Sequence, residues 1–140
     1  MNITTQRTLI AAGAILFLLG LLTGFVIPEF VNPRMGLASH LEGVMNGTFL
    51  IALGAAWSYI LLSTLFEKFA FWLLLYGTYA NWFFITLAAL FGTSGMTPIA
   101  GKGYNGEIWQ EQVVTLGLLS VGITMVLGCL LVVYGSLQRK

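Results

Sequence analysis

An all-α integral membrane protein, built as a bundle of four transmembrane helices with both termini on the same side, is the fold this sequence predicts. The 140 residues are 58% hydrophobic and only 8% charged, whereas a soluble domain carries roughly a quarter charged residues. Mean hydropathy is +0.91. The apolar residues gather into four stretches that approach or exceed the ~20 needed for a helix to cross hydrocarbon.

The first stretch runs from about Leu9 to Ile27 and stops at Pro28-Glu29. The second stops at Glu67-Lys68. Its most apolar part begins near Val44, but Asn32-Pro33 reads as a helix start, because Asn caps well and Pro is tolerated at the first helical position. This span is therefore placed over about 35–66. The third covers about 69–91 and stops in Gly92-Thr93-Ser94-Gly95. The fourth covers about 113–135 and ends in Gln138-Arg139-Lys140. A turn at Glu67-Lys68 makes the second and third spans a hairpin. Length allows one domain, 1–140, and no second.

Two longer connections, 28–39 and 92–112, fall on one side of the membrane. The other side carries Arg7, Lys68, Arg139 and Lys140, against Arg34 and Lys102. The positive-inside rule then puts both termini in the cytoplasm. Arg7 precedes the first apolar stretch, but no A-x-A-like site follows, so that stretch reads as a span and not a cleaved signal.

Composition also excludes chemistry. A net charge of +1 provides no basic face for nucleic acid. Asp is absent, which removes Ser-His-Asp triads, Walker-type magnesium sites and EF-hands. The single Cys129, inside an apolar run, reads as an inert buried thiol. One histidine rules out multi-histidine zinc sites and bis-histidine haem.

The second helix holds the unusual residues. His40 lies roughly 10 Å inside a helix that begins at Pro33, and Glu42 and Asn46 follow within two turns. Ionisable groups at such depth usually face protein or a cavity. On a helical wheel Gly36, His40, Gly43, Gly47 and Gly54 share an arc of roughly 60°. Glycines let another body approach the backbone. That body is either a neighbouring helix, which spacing favours, or a flat ligand anchored by His40. Glu42 and Asn46 point elsewhere. Glu42 is expected to pair with Arg34 or Lys102, and Asn46 to bond a helix or a substrate. In the third helix Trp72, Tyr76, Tyr79 and Phe83 form an aromatic face that serves packing or lines a site for a flat aromatic molecule. Asn81 and Trp82 occupy other faces.

These segments resemble a known family. Asn32-Pro33-Arg34-Met35-Gly36-Leu37, then Ser39-His40-Leu41-Glu42-Gly43-Val44-Met45-Asn46-Gly47, are similar to bacterial hydroxylaminobenzene mutase. So are Tyr76-Gly77-Thr78-Tyr79-Ala80-Asn81-Trp82 and Met96-Thr97-Pro98-Ile99-Ala100-Gly101. The resemblance runs through all four spans. It implies conversion of hydroxylaminobenzene to 2-aminophenol in a bacterial inner membrane.

A more distant resemblance is to styrene oxide isomerase, which holds ferric haem b between subunits of a trimer through an axial histidine. Its pattern of histidine, five residues, then Asn-Gly is matched by His40, Asn46 and Gly47, and a later asparagine by Asn81. The resemblance implies haem b on His40, with Gly36, Gly43 and Gly47 beside it, and Asn46, Tyr76, Tyr79 and Asn81 toward the substrate. That isomerase also has an aspartate and a tyrosine flanking the later asparagine. Aligned on Asn81, this chain has Gly77 and Ile85 there, which favours a mutase over an aryl epoxide isomerase. No flavin or nicotinamide motif is present, as a reaction without net redox change requires.

Two rivals stand in other classes. A small multidrug transporter would carry its carboxylate in the first helix, yet the run from Leu9 to Ile27 has no charge. A structural subunit would use its glycine seams for partner helices alone.

Overall fold

The computed structural model describes residues 3–138. Four helices carry the chain: α1 Ile3–Phe25, α2 Pro33–Ala56, α3 Thr64–Phe91 and α4 Ile108–Leu137. Short 3₁₀ turns, Ile27–Glu29 and Trp57–Tyr59, follow α1 and α2. The described residues contain no strand. Arg139 and Lys140, counted above among the terminal charges, lie outside the described residues.

α1, α3 and α4 are each long and apolar enough to cross a membrane. α2 has the length, since its 24 residues rise about 36 Å, but Arg34, His40, Glu42 and Asn46 lower its hydropathy. It nevertheless runs antiparallel along the whole of α1. Gly54 lies against Gln6 and Ile10, Gly47 against Gly13, Gly43 against Gly20, and His40 against Gly24. α2 also packs on α3, and α3 on α4.

The start of α2 is as predicted. Asn32 caps it, its side chain accepting from the N–H groups of Arg34 and Met35, with Pro33 in the first turn. The end of α3 is too: Gly92 closes it in the left-handed region (φ 68°), which only glycine enters freely.

The boundary between the second and third spans differs from the prediction. α2 ends at Ala56 and α3 begins at Thr64, so the hairpin is formed by residues 57–63 and not by Glu67-Lys68. Ser63 caps α3 by accepting from Phe66 N–H, and Glu67 sits in the first turn. A carboxylate is stabilised there by the positive end of the helix dipole, and Trp57 Nε1 donates to it at 3.1 Å. The link is apolar in composition, so hydropathy runs through it. After the 3₁₀ turn its backbone is not helical: Leu61 N–H bonds the carbonyl of Gly135 on α4 at 2.9 Å. α4 likewise starts five residues before the predicted Val113, on a capping box of Glu107 and Gln110.

Two apolar clusters hold the bundle. Leu9, Leu16, Leu50, Leu53, Trp57, Ala70 and Leu74 form one. Phe30, Met35, Ile85, Ala88, Ala89 and Val114 form the other. On each of the first three helices polar residues lie between these clusters in chain order: Thr23 on α1, Ser39 to Asn46 on α2, Thr78 and Asn81 on α3. The candidate site is therefore a polar layer between two dry ones.

Candidate functional site

His40 is half-buried at the edge of α2 that faces α1. Its Nδ1 bonds the carbonyl of Gly20 at 2.8 Å. A carbonyl can only accept, so Nδ1 carries a proton, and in the neutral ring Nε2 keeps the lone pair. The ring also rests on Gly24, where an added Cβ would stand 2.8 Å from Nδ1. A backbone carbonyl on one nitrogen, orienting the ring and leaving the other nitrogen basic, is the usual support of a metal-ligating histidine.

The glycines beside it serve a different purpose from the cofactor cradle expected of them. A Cβ on Gly47 would lie 2.7 Å from the carbonyl oxygen of Gly13, and Gly43 meets the backbone of Gly20 just as closely. Gly36 is covered by the ring of Phe30. The stripe is thus filled by α1 and its following turn, and no flat ligand fits over Gly36, Gly43 and Gly47. The open face of α2 lies on the other side of His40. There Leu37, Leu41 and Met45 are between 47 and 64% exposed.

Glu42 borders that open face at its far edge, toward α3. It does not pair with Arg34 or Lys102. Asn46 Nδ2 donates to Glu42 Oε2 at 3.1 Å, and Asn81 Nδ2 donates to the same oxygen at 2.6 Å. The two asparagines expected near substrate are therefore brought together, and a carboxylate is what joins them. The spacing of Glu42 and Asn46, one helical turn apart, is the sequence signal for half of this arrangement; Asn81 arrives from another helix. Arg34 goes instead to the carbonyl of Lys102, with its guanidinium 5.6 Å from the ring centre of Tyr104. Asn32 Nδ2 donates to Ala100 O at 2.9 Å. The Asn-Pro-Arg motif thus clamps the 92–107 connection onto the start of α2.

Neither tyrosine joins the carboxylate. Tyr79 donates to Ala12 O on α1 at 2.7 Å, and Tyr76 bonds Ser120 on α4 at 2.7 Å. Both line two open apolar grooves. One, of about 410 Å³, is formed by Ala12, Trp72, Leu75, Tyr76 and Tyr79. The other, of about 450 Å³, is formed by Tyr76, Tyr79, Ala80, Trp82, Phe83 and Phe84. Each has room for one aryl ring. Two further polar links were not foreseen: Trp82 Nε1 donates to Thr23 at 3.1 Å, and Ser39 bonds Thr86 at 2.6 Å.

Gly77 and Ile85, where the acid and the tyrosine would stand, are packing positions. A Cβ at Gly77 would stand 2.6 Å from Met125 Sδ, and Ile85 is buried in the second apolar cluster.

Known proteins give these residues a context. Hydroxylaminobenzene mutase HabB of Ectopseudomonas oleovorans is 48% identical over 130 residues, covering 92% of this chain and 79% of that protein. Hydroxylaminobenzene mutase HabA of the same organism is 43% identical over 134 residues, covering 95% of this chain and 99% of that protein. No solved structure matches the chain significantly. The profile of the family described as styrene oxide isomerase matches residues 5–137, nearly the whole bundle, and the chain is an isomerase that belongs to this family.

Proposed function

We propose that the chain converts hydroxylaminobenzene to 2-aminophenol, with His40 holding the iron of a haem b. The observation that carries the substrate is likeness across more than nine-tenths of the chain to two proteins named for that mutase. The haem reading rests on His40, whose Nδ1–H is tied to Gly20 O while Nε2 retains a lone pair. Leu37, Leu41 and Met45 would contact the macrocycle, since the glycine stripe is closed to it.

When bound, ferric haem supplies a Lewis-acid iron with an affinity for the hydroxylamine oxygen. The chain's own groups do the rest. Apolar helices keep water from the ring and the departing oxygen. The grooves beside Tyr76 and Tyr79 admit an aryl ring from the membrane. Asn46 and Asn81 orient the nitrogen end, held in place through Glu42.

His40 and Glu42 border the same open face of α2. A second copy packed there would cover both, which supports a homo-oligomer, with a trimer as the proposed state. The protein would reside in a bacterial inner membrane with cytoplasmic termini, as Arg7 and Lys68 favour. An aryl epoxide isomerase is the lesser reading, because the positions of its acid and tyrosine are occupied by packing residues.

The test is direct. Protein purified from membranes is scanned for a Soret band and given hydroxylaminobenzene and styrene oxide side by side. The expected result is a Soret band, 2-aminophenol, and little phenylacetaldehyde, with both band and turnover lost in His40→Ala. A colourless, fully active preparation ends the haem reading, and turnover of the epoxide alone ends the mutase reading.

A further inference from the structure

We infer that Glu42 is the proton carrier of the isomerisation: it takes the proton from the ortho ring carbon and returns it to the substrate nitrogen. The reaction, taken as the one proposed above, requires such a group. The N–O bond breaks with its electron pair on oxygen, and that oxygen then forms a bond to the ortho carbon. The ring is left with an sp³ carbon bearing H and OH beside a C=NH group. Aromaticity returns only when the C–H proton leaves and its electron pair re-enters the ring. The C=N π pair meanwhile takes up a proton at nitrogen. One proton leaves carbon and one reaches nitrogen, so a single carboxylate balances the step with no external acid, base or oxidant.

Within the bundle Glu42 is the group placed for this. The chain has five acidic residues and no Asp. Glu29 lies in the turn after α1, Glu67 in the first turn of α3, Glu107 at the cap of α4 and Glu111 in its first turn. Glu42 alone lies deep, nine residues into α2 and so about 14 Å from its start. The Nδ1 of His40 is tied to Gly20 and its Nε2 is the nitrogen proposed above for the iron, while the Tyr79 hydroxyl is tied to Ala12.

The carboxylate is also built for reuse. Both amide donors reach Oε2, which fixes the group and leaves Oε1 without a hydrogen-bond partner among the described residues. Amides donate to the anion without neutralising it as a lysine or arginine would. A general base of this kind typically contributes 10²–10⁴-fold.

The experiment has two arms. In the first, Glu42→Gln, which keeps an acceptor for both asparagines, is assayed with ordinary and ring-deuterated hydroxylaminobenzene. The expected result is turnover lowered about 100-fold, with a primary deuterium isotope effect larger than in the parent protein. Near-parental turnover with no added isotope effect overturns the role. In the second arm the unaltered protein is treated with dicyclohexylcarbodiimide, which reacts with carboxyls inside membranes. Adduct at Glu42, mapped by peptide mass, should rise in step with loss of turnover, and substrate should slow both. Adduct with turnover intact, or no adduct at Glu42, overturns the role even if the Gln variant fails to fold. Failure of the parent protein to make any 2-aminophenol sinks the mutase reading itself, a different result from an active parent with an equally active Gln variant.

Discussion

α2 packs against two helices in opposite ways. Toward α1 it presents Gly43, Gly47 and Gly54, where the backbones come together, and Gly36 meets the ring of Phe30 in the following turn. Toward α3 it presents Ser39, which bonds Thr86, and Glu42, which accepts from Asn81 on α3 and from Asn46 on its own helix. Lipid offers little hydrophobic drive for helices to associate, so contact comes from close packing or polar bonds. The α1 seam uses the first and the α3 seam the second. The glycine seam tolerates no added atom but holds no chemistry. The polar seam keeps a carboxylate inside the membrane at an energetic cost that packing alone would not justify. His40 is where the two meet, its ring seated on the α1 glycines.

This contrast can be broken from either side. The largest effect is expected at the junction: His40→Ala should abolish turnover and the Soret band together, read by spectrum and product assay. Next comes the glycine seam. Gly43→Leu forces a side chain into the backbone of Gly20, and overpacking of this kind costs about 1–3 kcal/mol or more. Thermal unfolding in detergent should show it, whatever happens to activity. Asn81→Leu strikes the polar seam and removes one of the two donors to Glu42. Interhelical hydrogen bonds in membranes average about 0.6 kcal/mol, so the fold should survive. Turnover should fall about tenfold, the size of a lost orienting contact of ~1.4 kcal/mol in the transition state. A protein that unfolds instead would make the polar seam structural.

Two smaller changes sharpen the comparison. Gly122→Ala on α4 meets open space, so the higher helix propensity of Ala should raise stability by about 0.5–1 kcal/mol. The same exchange at Gly43 should lower it. Tyr76→Phe removes a hydroxyl bonded to Ser120 on an exposed part of the bundle. Less than a twofold change in turnover is expected, whereas a large loss would give Tyr76 a part in the proton chemistry.

Much of the architecture was legible in the chain. Asn32-Pro33 marked a helix start and Gly92 a helix end because capping is local chemistry. The break at Ala56 was not legible. Trp57 to Leu62 are mostly apolar, and hydropathy cannot tell a continuing helix from a 3₁₀ turn and a link whose amide is satisfied by Gly135. At the site, the wheel separated His40 from Glu42 correctly and placed the glycines on one face. It could not say what filled that face, nor that Arg34 would be taken up by the 92–107 connection and leave Glu42 to amides.

Sequence alone determined that the chain is a helical membrane bundle, that its ionisable groups concentrate on the second helix, and which single imidazole is available. These follow from composition and from the 3.6-residue period, which act within one segment. Only the tertiary structure decided that the glycines belong to α1, that Asn46 and Asn81 share one carboxylate oxygen, and that Tyr76 and Tyr79 bond elsewhere. Such pairings join residues 39 and 67 positions apart. Partner choice across that distance is set by how whole helices pack, which no single segment encodes.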